Sequence, residues 1–236
     1  MTQEVPVHQI VVASHGTRDP RGRRAVASLA DALRRVVGPL EESFVDVQEP
    51  SLEAVLAAGD GRWATRRVVP LLLSAGFHTR VDVARAADRP GVSVAGPMGP
   101  DPRLVDVLLD RLAEAGASPD DQVVLGAAGT RDPSGQAHLA LTARRLSRAW
   151  GAPVPVGVLG GTGERLPDVV ARVRRPGRRV VVADYLLAPG YFDDLMREAG
   201  ADRVSAPLLD DRTPDHRLVD LVADRCAVPA ALAAAR

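Results

Sequence analysis

An internal repeat is the sequence feature that most limits the possible folds of this chain. Residues Gly16–Pro20 read Gly-Thr-Arg-Asp-Pro, and the same five residues recur at Gly129–Pro133. Near the end of each half, Arg103–Asp106 and Arg217–Asp220 both read Arg-Leu-Val-Asp. Positions 16 and 129 differ by 113, and positions 103 and 217 differ by 114. This nearly constant offset indicates a duplicated structural unit, and 236 residues suffice for two such units.

Strands and helices alternate in both predicted units. Short runs rich in valine indicate buried strands, and the longer segments between them carry apolar residues at helical spacing. The predicted strands span residues 7–14, 43–47, 67–73 and 92–95 in the first half and 123–126, 154–158 and 180–187 in the second. The predicted helices span residues 21–37, 51–58, 101–115, 134–150, 166–173 and 215–227, and two more end near residues 87 and 199. Such alternation predicts parallel sheets joined by right-handed crossovers.

The predicted fold is α/β, with two flavodoxin-like three-layer lobes that contain parallel sheets and are related by internal duplication. A turn-rich connector, Gly116–Asp121, separates the halves and predicts lobes at residues 1–116 and 121–228. In a flavodoxin-like strand order of 2-1-3-4, the first strand lies between the second and the third. The residues that leave the carboxyl ends of these three strands are therefore expected to share one edge of the sheet.

Candidate metal ligands and a candidate base follow those three strands. His15 follows the first strand, Asp46 and Glu49 lie at and beyond the end of the second, and His78 follows the third. Two neutral imidazoles suit a borderline divalent ion such as Fe²⁺, Co²⁺ or Ni²⁺. Two protein ligands leave coordination positions open, which favours delivery of a metal over its storage. Asp46 is the candidate proton acceptor or ion guide, whereas Glu49 is interpreted as a solvated loop acid.

Arginines follow both histidines, and the second repeat has no histidine at either of the two equivalent positions. Arg18 and Arg80 are candidates for binding substrate carboxylates, since a guanidinium pairs with a carboxylate through two hydrogen bonds; ordinary surface charge is the alternative. In the second repeat Ala128 stands at the position of His15, and Phe192 stands at the position of His78. We therefore predict one metal site per chain.

Composition excludes several other classes of protein. The chain contains no lysine, so it has neither a P-loop lysine nor a lysine that forms a Schiff base. Its formal net charge of zero gives no reason to expect nucleic acid as a partner, and no apolar run is long enough to predict a membrane span. Cys226 is the single cysteine, which rules out an intramolecular disulfide. A cytoplasmic, monomeric protein is expected.

Three motifs in the first half carry a family resemblance. The segments are Ser14–Arg18 (Ser-His-Gly-Thr-Arg), Phe44–Ser51 (Phe-Val-Asp-Val-Gln-Glu-Pro-Ser) and Val69–Leu73 (Val-Pro-Leu-Leu-Leu), the last continuing through His78 to Asp82. In this order and spacing they resemble the sirohydrochlorin chelatase family of class II chelatases. The resemblance extends over nearly the whole chain, and the stretch before His216 is similar to the last strand–helix junction of the family.

The resemblance implies a function and assigns roles to the candidate residues. It implies insertion of Fe²⁺ or Co²⁺ into sirohydrochlorin during siroheme or cobalamin biosynthesis, without ATP and without a cofactor beyond the substrate metal. His15 and His78 match the two metal-binding histidines of the family. Asp46 stands where the family usually has glutamate, so its side chain is one methylene shorter. The second lobe, in which Ala128 and Phe192 replace the two metal-binding histidines, is then expected to cover the macrocycle.

Two other functions fit the same residues. A metal or tetrapyrrole carrier would bind and hand on its ligand without catalysis. A plain flavodoxin-like domain would use the loop that contains His15 and Gly16 to bind an anion. Turnover of sirohydrochlorin with metal in excess over protein distinguishes the first alternative from an enzyme, and absence of metal binding favours the second.

Overall fold

The computed structural model describes residues 8–58, 63–74 and 77–227, in which strands and helices alternate. The elements of the first half are β1 (His8–Ser14), α1 (Pro20–Val37), β2 (Leu40–Phe44), α2 (Leu52–Ala58), β3 (Thr65–Pro70), α3 (Phe77–Ala86), β4 (Val92–Val94) and α4 (Pro102–Glu114). Those of the second half are β5 (Gln122–Ala127), α5 (Pro133–Trp150), β6 (Val156–Val158), α6 (Leu166–Val173), β7 (Val180–Tyr185), α7 (Tyr191–Arg197), β8 (Arg203–Val204) and α8 (His216–Cys226).

The strands form two parallel four-stranded sheets with the same order. The first sheet runs β2-β1-β3-β4 and the second runs β6-β5-β7-β8. Val12 of β1 lies opposite Val69 of β3, and Leu125 of β5 lies opposite Ala183 of β7, so the two sheets also share a register. The predicted α/β fold and the predicted order 2-1-3-4 are confirmed, and β1 lies between β2 and β3.

The repeated Asp-Pro dipeptide starts the long helix of each half. Asp19 caps α1 and accepts a hydrogen bond from the backbone N–H of Arg21 at 2.8 Å, and Asp132 caps α5 in the same way through Ser134. The proline that follows each aspartate occupies the first helical turn, where its missing N–H costs no hydrogen bond. The repeat Gly-Thr-Arg-Asp-Pro is thus, in part, a signal that begins a helix.

Strand β2 begins and ends earlier than the sequence predicts. It spans Leu40–Phe44, whereas we predict 43–47 from the run of apolar residues. Ser43 is the one buried residue of β2, since β2 is an edge strand and its second and third residues, Glu41 and Glu42, are charged. An apolar pattern is therefore a weak guide to its ends. Asp46 consequently lies in the loop after β2 and not on the strand.

The two-residue strand β8 is not predicted from the sequence. Arg203 and Val204 pair with β7 through only two registered residues, Val181 and Val182. Val204 is half-buried and Arg203 is exposed, so the segment has neither the length nor the alternation that marks a strand. Its neighbour β7 supplies the pairing that local sequence does not predict.

The last helix of each half packs on the sheet of the other half. Helix α4 lies against β7 and α5, while α8 lies against β3 and α1. Their apolar faces join one central core with the inner faces of both sheets. Two smaller cores lie on the outer faces, one beneath α2 and α3 and the other beneath α6 and α7. Each sheet is thus built from one half of the chain, but the helices that cover its inner face come from both halves.

Reciprocal ion pairs join the two exchanged helices. Arg103 of α4 contacts Asp224 of α8 at 2.7 Å, and Arg217 of α8 contacts Asp110 of α4. Positions 103 and 217, like 110 and 224, are 114 residues apart, so the two contacts are the same contact repeated. Such reciprocity defines an interface with two-fold symmetry. The lobe boundaries 1–116 and 121–228 remain a prediction, and residues 1–7 and 228 lie outside the described residues.

Membrane spans are absent from the described part of the chain, since none of its helices is long and apolar enough.

Candidate active site

His15 leaves the carboxyl end of β1, the second strand of the first sheet in spatial order. The strand ends at the buried Ser14, and His15 is the first exposed residue after it. Its imidazole forms no hydrogen bond or ion pair with any other described residue. Gly16 follows with φ +90°, and a Cβ there would lie 2.1 Å from the carbonyl oxygen of Asp46. Only glycine permits this close approach of two loops.

Asp46 lies directly beside His15 because the loop after β2 continues along the edge of β1. The backbone N–H of Asp46 donates to the carbonyl of His15 at 3.0 Å, and that of Val45 donates to Ser14 at 2.9 Å. The Asp46 side chain is exposed, and its Oδ1 accepts a hydrogen bond from the N–H of Val47 at 2.8 Å. Val47 adopts a left-handed conformation, with φ +51°, which turns the chain away from the site. The loop therefore presents the carboxylate next to the imidazole.

His15 and Asp46 line one cavity of about 320 Å³ at this edge of the sheet. Its polar wall consists of His15, Asp46, Ser51, Glu53, Asp82 and Arg85. Phe44, Val45, Leu52 and Ala86 complete the lining. Glu49 is not among the described lining residues, and its Oε2 accepts a hydrogen bond from the N–H of Ser51 at 2.8 Å. Of the two acids considered from the sequence, Asp46 is the one that reaches the cavity.

Asp82 and Glu53 are further acids of the cavity that are not predicted as site residues from the sequence, and Asp82 lies on the helix that carries His78. It lies on α3 four residues after His78, which places both residues on the same side of the helix. Its carboxylate pairs with Arg85 at 3.3 Å, and both line the cavity. The spacing of four between a histidine and an aspartate, in a helix that follows a buried strand, is the signal by which it could have been found.

The remaining predicted site residues are placed by their backbone only or lie at the rim. His78 and Arg80 belong to the first turn of α3, which follows β3, the neighbour of β1; their side chains lie outside the described residues. Arg18 is exposed between β1 and α1 and forms no ion pair with another described residue. Among the described residues no group of three or more His, Cys, Asp or Glu side chains is close enough to hold a metal ion.

The second lobe keeps the backbone of this site but not its chemistry. Gly129 has φ +86°, and a Cβ there would lie 2.1 Å from the carbonyl oxygen of Gly160. The N–H of Gly160 donates to the carbonyl of Ala128 at 2.8 Å, as Asp46 donates to His15 in the first lobe. Ala128, Gly160 and Phe192 therefore stand at the positions of His15, Asp46 and His78. The two loops still meet at a glycine, but no imidazole or carboxylate accompanies them.

A larger hollow of about 490 Å³ lies at the opposite, amino-terminal end of β7. Two of its four arginines are already engaged in ion pairs, Arg174 with Asp202 at 3.0 Å and Arg179 with Asp121 at 2.7 Å. Ligands of parallel sheets bind at the carboxyl ends of the strands, so the smaller cavity at His15 is the candidate active site.

Comparison with known families identifies both halves of the chain. The CbiX family model matches residues 9–115 and again residues 122–225. The chain belongs to the CbiX family. The resemblance to sirohydrochlorin chelatases read from the sequence is thereby confirmed, and the two matches coincide with the two repeats of this CbiX protein.

Characterised relatives of this CbiX protein carry chelatase names. A sirohydrochlorin ferrochelatase from Priestia megaterium is 28% identical over 214 residues, which cover 84% of this chain and 80% of the relative. A sirohydrochlorin cobaltochelatase from Sulfolobus acidocaldarius is 28% identical over 111 residues, which cover 45% of this chain but 90% of the relative. The second relative is thus about as long as one repeat.

Solved structures share the fold of the CbiX protein. SirB from Bacillus subtilis with Fe³⁺ superposes with a TM-score of 0.76 at 24% identity and covers 92% of this chain and 93% of its own. SirB from Bacillus subtilis subspecies spizizenii in complex with cobalt gives a TM-score of 0.72 at 23% identity, with 93% of each chain covered. At this level of identity the likeness shows that the two-lobed architecture is the same.

Proposed function

We propose that this protein is a sirohydrochlorin chelatase that inserts Fe²⁺ or Co²⁺ into the macrocycle. The observation that carries the proposal is the exposed His15 imidazole, which lines an open cavity together with the Asp46 carboxylate at the carboxyl edge of the first sheet. Both a ferrochelatase and a cobaltochelatase occur among the relatives, which supports the reaction and leaves both metals as substrates.

The reaction exchanges two protons for one metal ion. The ion enters the centre of the macrocycle, forms bonds to its nitrogens, and displaces the protons of two pyrrole N–H groups. His15 and His78 would hold the incoming ion, since neutral imidazoles bind Fe²⁺ and Co²⁺ well and two ligands leave positions free for the pyrrole nitrogens. Asp46 would accept a pyrrole proton directly or through water. The cavity is open to solvent, so the proton can leave.

Arginines would hold the substrate by its periphery. Sirohydrochlorin carries carboxylates around its ring, and guanidinium groups bind carboxylates through paired hydrogen bonds. Arg18 is exposed three residues after His15 and is free to contact such a group. Arg80 lies two residues after His78 and would serve the same purpose from the other side of the site.

Multiple-turnover assays test this proposal. Sirohydrochlorin and Co²⁺ in excess over protein should be converted to the metallated product, followed by the change in absorbance and corrected for the rate without protein. His15→Ala and His78→Ala should each abolish most of the protein-dependent rate while the circular dichroism spectrum stays unchanged. His216→Ala is the matched control, because His216 is exposed and does not line the cavity.

Two results would contradict the proposal. A single stoichiometric binding event without turnover would identify a carrier instead of an enzyme. Near wild-type turnover in either His15→Ala or His78→Ala would remove that histidine from the metal path.

A further inference from the structure

Exposed apolar side chains concentrate around the carboxyl ends of the strands. Among the described residues, six large apolar side chains are exposed. Four of them, Val47, Val81, Tyr191 and Phe192, follow the carboxyl ends of β2, β3 and β7. Tyr191 is 71% exposed and Phe192 is 44% exposed, although they are the bulkiest of the set. Aromatic rings left in water at this edge point to a ligand that covers them.

Contacts between the lobes bring Tyr191 and Phe192 next to the His15 loop. The loop before α7 packs on the first turn of α1, where a Cβ on Gly22 would lie 2.5 Å from the carbonyl oxygen of Pro189. A Cβ on Gly190 would lie 3.7 Å from Oγ1 of Thr17. Gly190, at the start of α7 in the second lobe, therefore lies beside Thr17, which follows His15 by two residues in the first lobe.

An ion pair holds the same junction. Arg21 of α1 contacts Asp194 of α7 at 3.0 Å and also pairs with the cap residue Asp19. The Arg21 guanidinium holds the pKa of Asp19 below its usual range, so that carboxylate stays charged and keeps α1 capped. All three residues lie at the starts of their helices, so the ion pair joins the start of α7, which carries Tyr191 and Phe192, to the start of α1.

The two rings have a geometry that suits one flat ligand. Their centroids are 5.7 Å apart and their planes meet at 63°, which is an edge-to-face arrangement. One ring can thus offer its face to a ligand while the other supports it by an edge contact. A tetrapyrrole combines apolar faces with carboxylates at its rim, which suits exposed rings on the second lobe and the exposed Arg18 on the first.

We propose that Tyr191 and Phe192 form the face on which the substrate macrocycle stacks, so that the second lobe holds the tetrapyrrole while the first lobe delivers the metal. This inference rests on the proposed chelatase function and names the residues that position its substrate. In the second lobe Phe192 stands at the position of the proposed metal ligand His78, so a stacking ring replaces a metal-binding imidazole there.

Binding of metal-free sirohydrochlorin to the full chain tests the inference. Tyr191→Ala and Phe192→Ala should each weaken binding several-fold, and the double variant about 10-fold, since the two rings are in contact and their contributions are not additive. Tyr191→Phe keeps the ring and should bind like the wild type, whereas Phe192→Leu keeps the bulk without the ring and should bind more weakly. Val36→Ala is the control, because Val36 is 59% exposed at the far end of α1 and should have no effect.

Steady-state kinetics and metal binding separate this inference from the proposed function. The double variant should show a raised KM for sirohydrochlorin with little change in kcat, and unchanged binding of Co²⁺ alone. If the wild type neither binds nor metallates sirohydrochlorin, the chelatase function itself fails. If the wild type turns over and the double variant has an unchanged KM, the function stands and the stacking face is wrong. A wild-type dimer that becomes monomeric in the double variant, with unchanged sirohydrochlorin affinity, would assign the rings to self-association and overturn the inference.

Discussion

At the scale of single residues, the site depends on which acid reaches the cavity. Asp46 and Glu49 are three residues apart in one loop, yet Asp46 lines the cavity while Glu49 bonds to the N–H of Ser51 at the start of α2. A carboxylate in this position can accept the proton that a pyrrole nitrogen releases. The backbone hydrogen bond between Asp46 and His15 holds the two loops together, and both residues line the same cavity.

Asp46→Asn should therefore slow metal insertion while leaving metal binding nearly intact. The amide keeps the shape of the side chain but cannot accept a proton as a base, and general-base roles are worth about 10²–10⁴ in rate. Stopped-flow measurement of insertion, with Co²⁺ binding measured separately by calorimetry, gives both quantities.

Glu49→Gln is the matched control for that substitution and should change the rate much less. Asp82→Asn tests the cavity acid on α3 in the same assay. A silent Asp46→Asn with a slow Glu49→Gln would mean that the acid is assigned to the wrong residue. If Asp46→Asn is silent and Asp82→Asn is slow, the base lies on α3 instead of the β2 loop.

At the scale of elements, a buried acid pair joins β7 to α7. Asp184 of β7 is completely buried, and Asp193 of α7 is nearly so and pairs with Arg197 at 2.8 Å. Burial, reinforced by the neighbouring Asp193 carboxyl, raises the pKa of Asp184 well above its usual range. Asp184 therefore keeps its proton in the folded protein at pH values where the unfolded chain has lost it.

The resulting stability has a defined sign with pH. Above the ordinary aspartate pKa the unfolded state gains by ionising and the folded state does not, so the free energy of unfolding falls as pH rises toward the raised pKa of Asp184. Asp184→Asn removes this loss of stability with rising pH, because an amide can donate a hydrogen bond to Asp193 and does not titrate. The variant should gain a few degrees of Tm over the wild type at pH 8 and much less at pH 4.

Thermal unfolding at a series of pH values measures that difference. Asp106→Asn serves as the control, since Asp106 is an exposed aspartate on α4, and its Tm difference from the wild type should stay flat with pH. A difference between Asp184→Asn and wild type that is constant from pH 4 to pH 8 would contradict a raised pKa at Asp184.

At the scale of the whole molecule, the exchange of α4 and α8 makes the two lobes interdependent. The apolar face of α4 is buried against β7 of the other half, and α8 occupies the corresponding place on β3. The surface ion pairs between the two helices contribute about 0–1 kcal/mol each, whereas burial of several leucines and valines contributes far more. The central core, more than the charges, holds the lobes together.

Residues 1–116 produced alone should consequently form a homodimer. In the fragment, β3 is not covered by α8, and α4 is not covered by β7. The α4 of each copy can instead pack on β3 of the other copy, where α8 packs in the full chain. A relative that covers about one repeat shows that a chain of this length exists in nature. Sedimentation velocity should give twice the mass of the fragment.

Leu108→Ala in the fragment should weaken that dimer, since Leu108 is fully buried on α4 and such truncations cost about 2–5 kcal/mol. The exposed Asp106→Ala on the same helix is the control and should leave the association intact. A folded monomer of the fragment would mean that α4 packs back on its own sheet, which would make the exchange dispensable.

Local pattern was sufficient for much of the fold and for part of the site. The repeat, the Asp-Pro helix starts and the valine-rich strands predict two lobes and the order 2-1-3-4, because helix capping and strand burial depend on neighbouring residues. That order in turn brings His15 and the loop of Asp46 to one edge. Sequence also shows that Ala128 and Phe192 interrupt the second copy of the site.

Tertiary structure alone decided what those elements touch. The apolar face of α4 predicts that the helix is buried, but it does not predict that β7 of the other half covers it. Pairing with β7 makes Arg203–Val204 a strand, and packing of the β2 loop brings Asp46 to the cavity wall. Arg21 and Asp194 are 173 residues apart, yet they form an ion pair where the start of α7 lies against the start of α1. Such contacts depend on how the two sheets pack through a shared core, and no local period of the sequence encodes them.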